Sequence, residues 1–111
     1  MQTIDYNEFQ RIDLRIGTIV RAEIFAKTKK PAYKIWVDLG ELGIKKSSAQ
    51  ITHHYQPEQL LGKQVLCVCN FAPKQIADFM SEVLVTGFED GSGRIVLASV
   101  DIAVPNGSKL H

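Results

Sequence analysis

An alternation of apolar and polar residues near the N-terminus constrains the fold more than any other feature of the sequence. In IDLRIGTIVRAEI, residues 12–24, the apolar even positions are Ile12, Leu14, Ile16, Val20, Ala22 and Ile24, and the charged odd positions are Asp13, Arg15, Arg21 and Glu23. This period of two predicts one long β-strand whose even residues face the interior. Gly17 lies in the middle, where the missing side chain lets a strand bend or accept a bulge.

Two further strands with the same alternation follow. In YKIWVDL, residues 33–39, the predicted buried side chains are Tyr33, Ile35, Val37 and Leu39, and the outward ones are Lys34, Trp36 and Asp38. In KKSSAQI, residues 45–51, the inward set is Ser47, Ala49 and Ile51, and the outward set is Lys46, Ser48 and Gln50. The third strand therefore presents polar side chains beside the lysine and tryptophan of the second.

Two short helical segments are indicated by their terminal residues. Asp5 and Glu8 have the spacing of a capping box, which predicts one helical turn over residues 5–10. The segment 57–62 begins with a proline and ends with a glycine, as a short helix does. The side chains expected to pack down from it are Leu60 and Leu61.

The remaining strands complete an all-β order of elements. QVLCVCNF, residues 64–71, is apolar at both parities, as expected of a strand covered on both sides. A loop with Pro73 and Lys74 leads to a fifth strand, SEVLVTGF, residues 81–88. Five strands, a short helix between the third and fourth, and an N-terminal helical turn predict a five-stranded OB-fold barrel.

The chain continues beyond the fifth strand with a C-terminal β extension. It contains a turn at residues 89–94, a strand at 95–100 and a second turn at 104–107. This extension can lie against its own barrel or pair across a two-fold axis with a second copy. No linker or break in composition interrupts residues 1–111, which predicts a single domain.

The sequence contains no targeting or membrane signal. Its apolar runs are far shorter than the roughly 20 residues of a membrane span, and its N-terminus has no signal-peptide pattern. We therefore expect a cytoplasmic protein that does not insert into membranes.

Catalytic and metal-binding patterns are absent from the sequence. Cys67 and Cys69 share one strand face, where a disulfide is strained, so we expect reduced core thiols. His53 and His54 are adjacent and have no apparent catalytic or metal-binding partner. We expect no enzymatic activity, no metal and no cofactor.

Three stretches carry a family resemblance; they are KPAYKIWVDLGELGIKKSSAQITHHY, NFAPKQIADFMSEVLVTG and VPNGSKL. They resemble the CsaA family of export-related chaperones. CsaA proteins are a dimeric branch of the tRNA-binding OB-fold domains that also occur at the end of methionyl-tRNA synthetases. The resemblance implies a non-enzymatic homodimer, with residues 1–11 and about 90–111 as dimerisation elements.

The resemblance also implies partners. CsaA proteins bind unfolded or presecretory polypeptides, which predicts such clients and contact with the export machinery. The wider family binds the outer corner of tRNA, so a tRNA-binding module is the alternative. The net charge of +1 favours neither, although six lysines over residues 27–46 give this segment a locally basic character.

The predicted ligand site combines family positions with the outer face of the second and third strands. Residues that match the family pattern are Ser48, Asn70, Phe71, Pro73, Lys74 and Ser81. The match weakens at Glu82-Val83-Leu84, where an acid would repel phosphate. The complete predicted site is Lys34, Trp36, Lys46, Ser48, Gln50, Asn70, Phe71, Lys74, Ser81 and Glu82. Trp36 would serve as a platform for a base or an apolar side chain, or simply cover the barrel or lie in the dimer contact.

Overall fold

A computed structural model describes all 111 residues as a small β-barrel with appended segments. The helices are α1 (Tyr6–Gln10) and α2 (Pro57–Leu60), and a 3₁₀ turn covers Gly40–Leu42. The strands are β1 (Leu14–Ile24), β2 (Tyr33–Asp38), β3 (Ile44–Ala49), β4 (Gln64–Val68), β5 (Lys74–Ile76), β6 (Phe79–Ser81), β7 (Leu84–Val85), β8 (Gly87–Glu89) and β9 (Ile95–Leu97). Neither helix is long and apolar enough to span a membrane.

Five strands form the barrel in the order β3-β2-β1-β4-β7, each antiparallel to its neighbours. The barrel nearly closes between β3 and the residues before β7, where the Lys46 carbonyl accepts hydrogen bonds from the N–H groups of Glu82 (2.8 Å) and Val83 (3.2 Å). Inside is a core of 12 buried residues. The predicted OB-fold barrel, with its helix between the third and fourth strands, is confirmed.

The alternation of β2 and β3 follows the sequence prediction. Tyr33, Ile35, Val37 and Leu39 are buried, and so are Ser47, Ala49 and Ile51.

At the N-terminus, the Asp5 carboxylate accepts from the N–H of Glu8 at 2.9 Å, and the Glu8 carboxylate accepts from the N–H of Asp5 at 3.3 Å. The predicted capping box is therefore present.

The buried face predicted for β1 is wrong in the first half of the strand and correct after the bulge at Ala22, which pairs with the buried Ile35 and packs against the core. The pairing with β2 shifts between Ile19 and Arg21, which is a bulge, and Ile19 is fully buried while Val20 and Ile24 are exposed. Gly17 points inward, where a Cβ atom would lie 2.7 Å from the carbonyl oxygen of Asp38. The alternation does not show this because one extra residue reverses the parity of all that follow.

Three other local predictions need correction. The fifth strand predicted over residues 81–88 is divided among the end of β6, the short strand β7 and the start of β8. Leu60 is buried, but Leu61 follows the helix and is 53% exposed, so it does not pack down. The loop predicted around Lys74 forms the hairpin β5–β6. Its two-residue turn has Ala77 at a φ of +53° and no glycine or asparagine, so the usual sequence signal of such a turn is missing.

The C-terminal extension lies against its own barrel, the first of the two predicted alternatives. The N–H of Leu66 donates to the carbonyl of Ala98 at 3.0 Å, just after β9. Farther on, the N–H of Ile16 donates to Ser108 at 2.9 Å, and the carbonyl of Ile16 accepts from Gly107 at 2.7 Å. The extension therefore covers the edge of the first half of β1.

A candidate binding groove beside the third barrel strand

A groove of about 510 Å³ lies where the end of β3 meets the hairpin β5–β6. Its walls are Ser48, Phe71, Ala72, Lys74, Ile76, Ser81, Glu82, Val83 and Leu84. Five of the ten predicted site residues are among them, namely Ser48, Phe71, Lys74, Ser81 and Glu82. The structure therefore brings together predicted residues that are up to 34 positions apart in the chain.

The hairpin β5–β6 positions one wall of the groove. Its register pairs Lys74 with Ser81 and Ile76 with Phe79, so these four side chains share one face of the hairpin. Phe79 is buried and packs edge-to-face on Phe25, with ring centroids 5.4 Å apart. This aromatic contact holds the hairpin against the outside of the barrel, with the lysine and serine at the groove.

Two side chains of the groove bind the backbone of β3. The Ser81 hydroxyl accepts a hydrogen bond from the N–H of Ser48 at 3.1 Å. The Glu82 carboxylate accepts one from the N–H of Lys46, also at 3.1 Å. The acid that departs from the tRNA-binding pattern is therefore a structural contact, and its negative charge lies in the groove wall.

The rest of the lining is largely apolar. Phe71 is 60% exposed, Leu84 is 47% exposed, and Ile76 is partly buried. The sequence prediction did not assign Ala72, Ile76, Val83 or Leu84 to a site. One available signal was the alternation at Leu84-Val85, because burial of Val85 in the barrel turns Leu84 outward.

Three of the predicted residues surround Phe79 instead of lining the groove. Trp36 contacts Phe79 edge-on at 5.8 Å, and the guanidinium of Arg21 lies 4.4 Å from the Trp36 ring centroid. The Nζ atoms of Lys34 and Lys46 lie 5.3 and 5.2 Å from the Phe79 ring. These contacts form an outer aromatic cluster in which Trp36 is already covered on two sides.

The last two predicted residues do not line the groove. The Asn70 amide donates to the carbonyl of Arg11 at 2.7 Å and accepts from the N–H of Asp13 at 3.0 Å. Asn70 thus ties the end of α1 to the loop that carries Phe71. Gln50 is exposed just beyond β3, and neither its side chain nor its backbone forms a hydrogen bond.

The cysteines and histidines lie away from this groove. Burial raises the pKa of the Cys67 thiol to about 12, and burial also raises that of Cys69. Both are free thiols. His54 lies 2.6 Å from the carboxylate of Asp90 on the surface. No group of three or more His, Cys, Asp or Glu side chains is arranged to hold a metal ion.

Comparison with known proteins identifies the family. A family model described as "Putative tRNA binding domain" matches residues 14–109. The crystal structure of the chaperone CsaA of Bacillus anthracis str. Ames is 45% identical, covers 99% of this chain and 100% of that chain, and superposes with a TM-score of 0.92. The chain belongs to the CsaA family of tRNA-binding-domain proteins. A second CsaA chaperone, from Picrophilus torridus, is 44% identical with a TM-score of 0.91, covering 98% of this chain and 100% of that one.

The CsaA family is related to a part of larger enzymes. The methionine-tRNA ligase of Methanocaldococcus jannaschii is 37% identical over all 111 residues. The chain spans only 17% of the length of that ligase. The matched part is a binding module, so the similarity carries no catalytic site with it.

Proposed function

We propose that this CsaA-family chain is a non-catalytic protein that holds unfolded polypeptide segments in the groove beside β3. The observation that carries the proposal is the exposure of Phe71 and Leu84 in the lining of one groove. Concave apolar surfaces on a folded domain are typical of binding sites for other chains. The similarity to two CsaA chaperones supports the same function.

The energetics of the groove suit transient holding. Burying the exposed part of a phenylalanine or leucine side chain contributes about 1 to 2 kcal/mol. A few such contacts, reduced by the cost of ordering a flexible client, correspond to dissociation constants on the order of micromolar or weaker. Weak binding allows a client to be released without a chemical step.

The charges of the groove disfavour a polyanion there. Lys74 is its only cationic lining residue, and Glu82 is its only anionic one. The two formal charges cancel, and the carboxylate would be brought close to any phosphate that entered. An uncharged, apolar polypeptide meets no such repulsion.

A tRNA-binding module is the second candidate function. The match to the tRNA-binding family and the Lys34 and Lys46 side chains on the outer face support it. In this case the nucleic acid would lie over the outer aromatic cluster and the lysines of residues 27–46, outside the groove. Such binding would weaken steeply with added salt because phosphate contacts release counterions.

We further propose that the chain is a homodimer through residues 1–11 and about 90–111. Exposed apolar side chains in and beside these segments support the proposal; they are Ile4, Tyr6, Ile12, Ile102 and Leu110. The clients would be unfolded or presecretory chains in the cytoplasm on their way to the export machinery. Sedimentation of the purified chain tests the dimer, and a monomer at micromolar concentration would contradict it.

A salt titration of both ligands separates the two functions. Binding of a permanently unfolded, alkylated polypeptide and of tRNA is measured on one preparation between 50 and 500 mM salt. The proposal predicts that polypeptide binding changes little across this range, because apolar burial is weakly screened. Tight tRNA binding at about 150 mM salt without polypeptide binding would contradict it.

A further inference from the structure

The strand β3 is paired along one edge and only partly paired along the other. Its inner edge forms a continuous ladder with β2. On the outer edge the last backbone contacts are those of the Lys46 carbonyl with Glu82 and Val83. Two residues farther on, the N–H of Ser48 bonds the Ser81 hydroxyl instead of another strand.

The outer edge therefore has unpaired backbone groups beside the groove. In an antiparallel pair, a residue whose N–H points away from its partner strand also points its carbonyl away. The Ser48 carbonyl thus points outward, and it accepts no hydrogen bond. The N–H and carbonyl of Gln50, one step of the alternation farther on, are also unpaired.

We propose that the groove takes its client segment as an additional β-strand, hydrogen-bonded to Ser48 and Gln50 at the end of β3. Unpaired backbone groups at a sheet edge are a template for an extended peptide. We assign the strand a direction parallel to β3, because this register does not require the N–H of Ser48, which is already bonded to Ser81. In this register one client residue donates its N–H to the Ser48 carbonyl and accepts from the N–H of Gln50.

The side-chain walls define the class of client. Successive side chains of an extended segment point to opposite faces, so only every second residue enters the groove. The entering residues meet Phe71, Ile76 and Leu84, and the cancelling charges of Lys74 and Glu82 leave no net charge to neutralise. The preferred segment is therefore extended, apolar at alternate positions, and uncharged on its apolar face.

Backbone methylation of a peptide ligand tests this mode of binding, which rests on the proposed function. The probe is a nine-residue peptide with Val and Ser alternating, and two derivatives carry N-methyl groups at either the odd or the even positions. We expect one derivative to lose at least tenfold in affinity, because its N–H groups face β3, and the other to stay within twofold of the parent. Equal effects of the two sets would overturn the strand pairing while leaving polypeptide binding intact.

Amide exchange provides the matching measurement on the protein. The N–H of Gln50 is unpaired and exposed, and that of Asp101, which also forms no hydrogen bond, is the control. Saturating peptide should slow exchange at Gln50 at least tenfold and leave Asp101 unchanged. Binding without protection of Gln50 would overturn the inference, whereas no binding of any apolar peptide or unfolded chain would overturn the proposed function itself.

Discussion

The carboxylate of Glu82 accepts a hydrogen bond from the backbone N–H of Lys46 at 3.1 Å, while the N–H of Glu82 donates to the carbonyl of the same lysine at 2.8 Å. One residue thus joins β3 to the segment before β7 through both its side chain and its backbone. It also places a negative charge in the wall of the groove. Glu82 therefore contributes both to the closure of the barrel and to the charge of the groove.

Replacing Glu82 with glutamine should separate these two roles. The amide oxygen can still accept from Lys46, so the free energy of unfolding should fall by no more than about 1 kcal/mol. Because Glu82 is bonded to Lys46 of the outer aromatic cluster, loss of its charge should raise tRNA affinity several-fold at low salt and leave unfolded-polypeptide affinity unchanged. Fluorescence anisotropy measures both, with Glu58→Gln on α2 as the exposed control. An unchanged tRNA affinity would mean that this carboxylate does not repel phosphate.

Replacing Trp36 should mainly lower the stability of the fold, and affect ligand binding only through that loss. Its ring packs on Phe79 and under Arg21, so Trp36→Ala should lower the free energy of unfolding by roughly 2 to 3 kcal/mol, and Trp36→Phe by about 1 kcal/mol. Polypeptide affinity should fall a few-fold in the alanine variant, since Phe79 anchors the hairpin, and recover in the phenylalanine variant. Urea unfolding and binding titrations check this. A fall in polypeptide affinity with an unchanged free energy of unfolding would instead indicate that Trp36 contacts the ligand directly.

How much of the structure the sequence predicts depends on whether the contacts involved are local or join residues far apart in the chain. Alternation places Tyr33–Leu39 correctly because the strand is regular and one face is buried. It fails in the first half of β1, where Ile19 faces the core, because a bulge at Val20 separates this half from the even-numbered inward parity that holds at Ala22. Four groove residues, Ser48, Phe71, Lys74 and Ser81, were predicted from family positions. Ile76 was missed because its place depends on the hairpin β5–β6, which is held by the packing of Phe79 on Phe25, residues far apart in the chain.

Replacing Asn70 with alanine should loosen the N-terminal segment. Both hydrogen bonds to Arg11 and Asp13 are lost, which costs roughly 1 to 2 kcal/mol of unfolding free energy. Amide exchange of Asp13 should accelerate in the same variant. Thermal unfolding and hydrogen exchange provide the measurements, and Asn7→Ala on α1 is the matched control. Equal behaviour of the two variants would contradict the role given to Asn70.

Acid should weaken the turn between β8 and β9. Hydrogen bonds from the N–H groups of Arg94 and Ser92, and then from His54, lower the pKa of Asp90 to about 2. A carboxyl whose folded pKa lies below its unfolded value of about 3.9 stabilises the fold above pH 4, and this stabilisation disappears as the pH falls towards 2. The difference in Tm between the wild type and Asp90→Asn should therefore shrink from pH 5 to pH 2. Asp101→Asn is the control, and a difference that does not change with pH would contradict the prediction.

The most direct test of the central claim compares two exposed phenylalanines. Phe71 lines the groove, whereas Phe88 is 71% exposed on β8 and does not line it. Affinity for a permanently unfolded polypeptide is measured for Phe71→Ser and Phe88→Ser, with thermal unfolding as the check on folding. We predict a loss of about tenfold for Phe71→Ser, matching 1 to 2 kcal/mol of lost apolar contact, and a change below twofold for Phe88→Ser. Equal affinities of the two folded variants would contradict polypeptide binding in this groove.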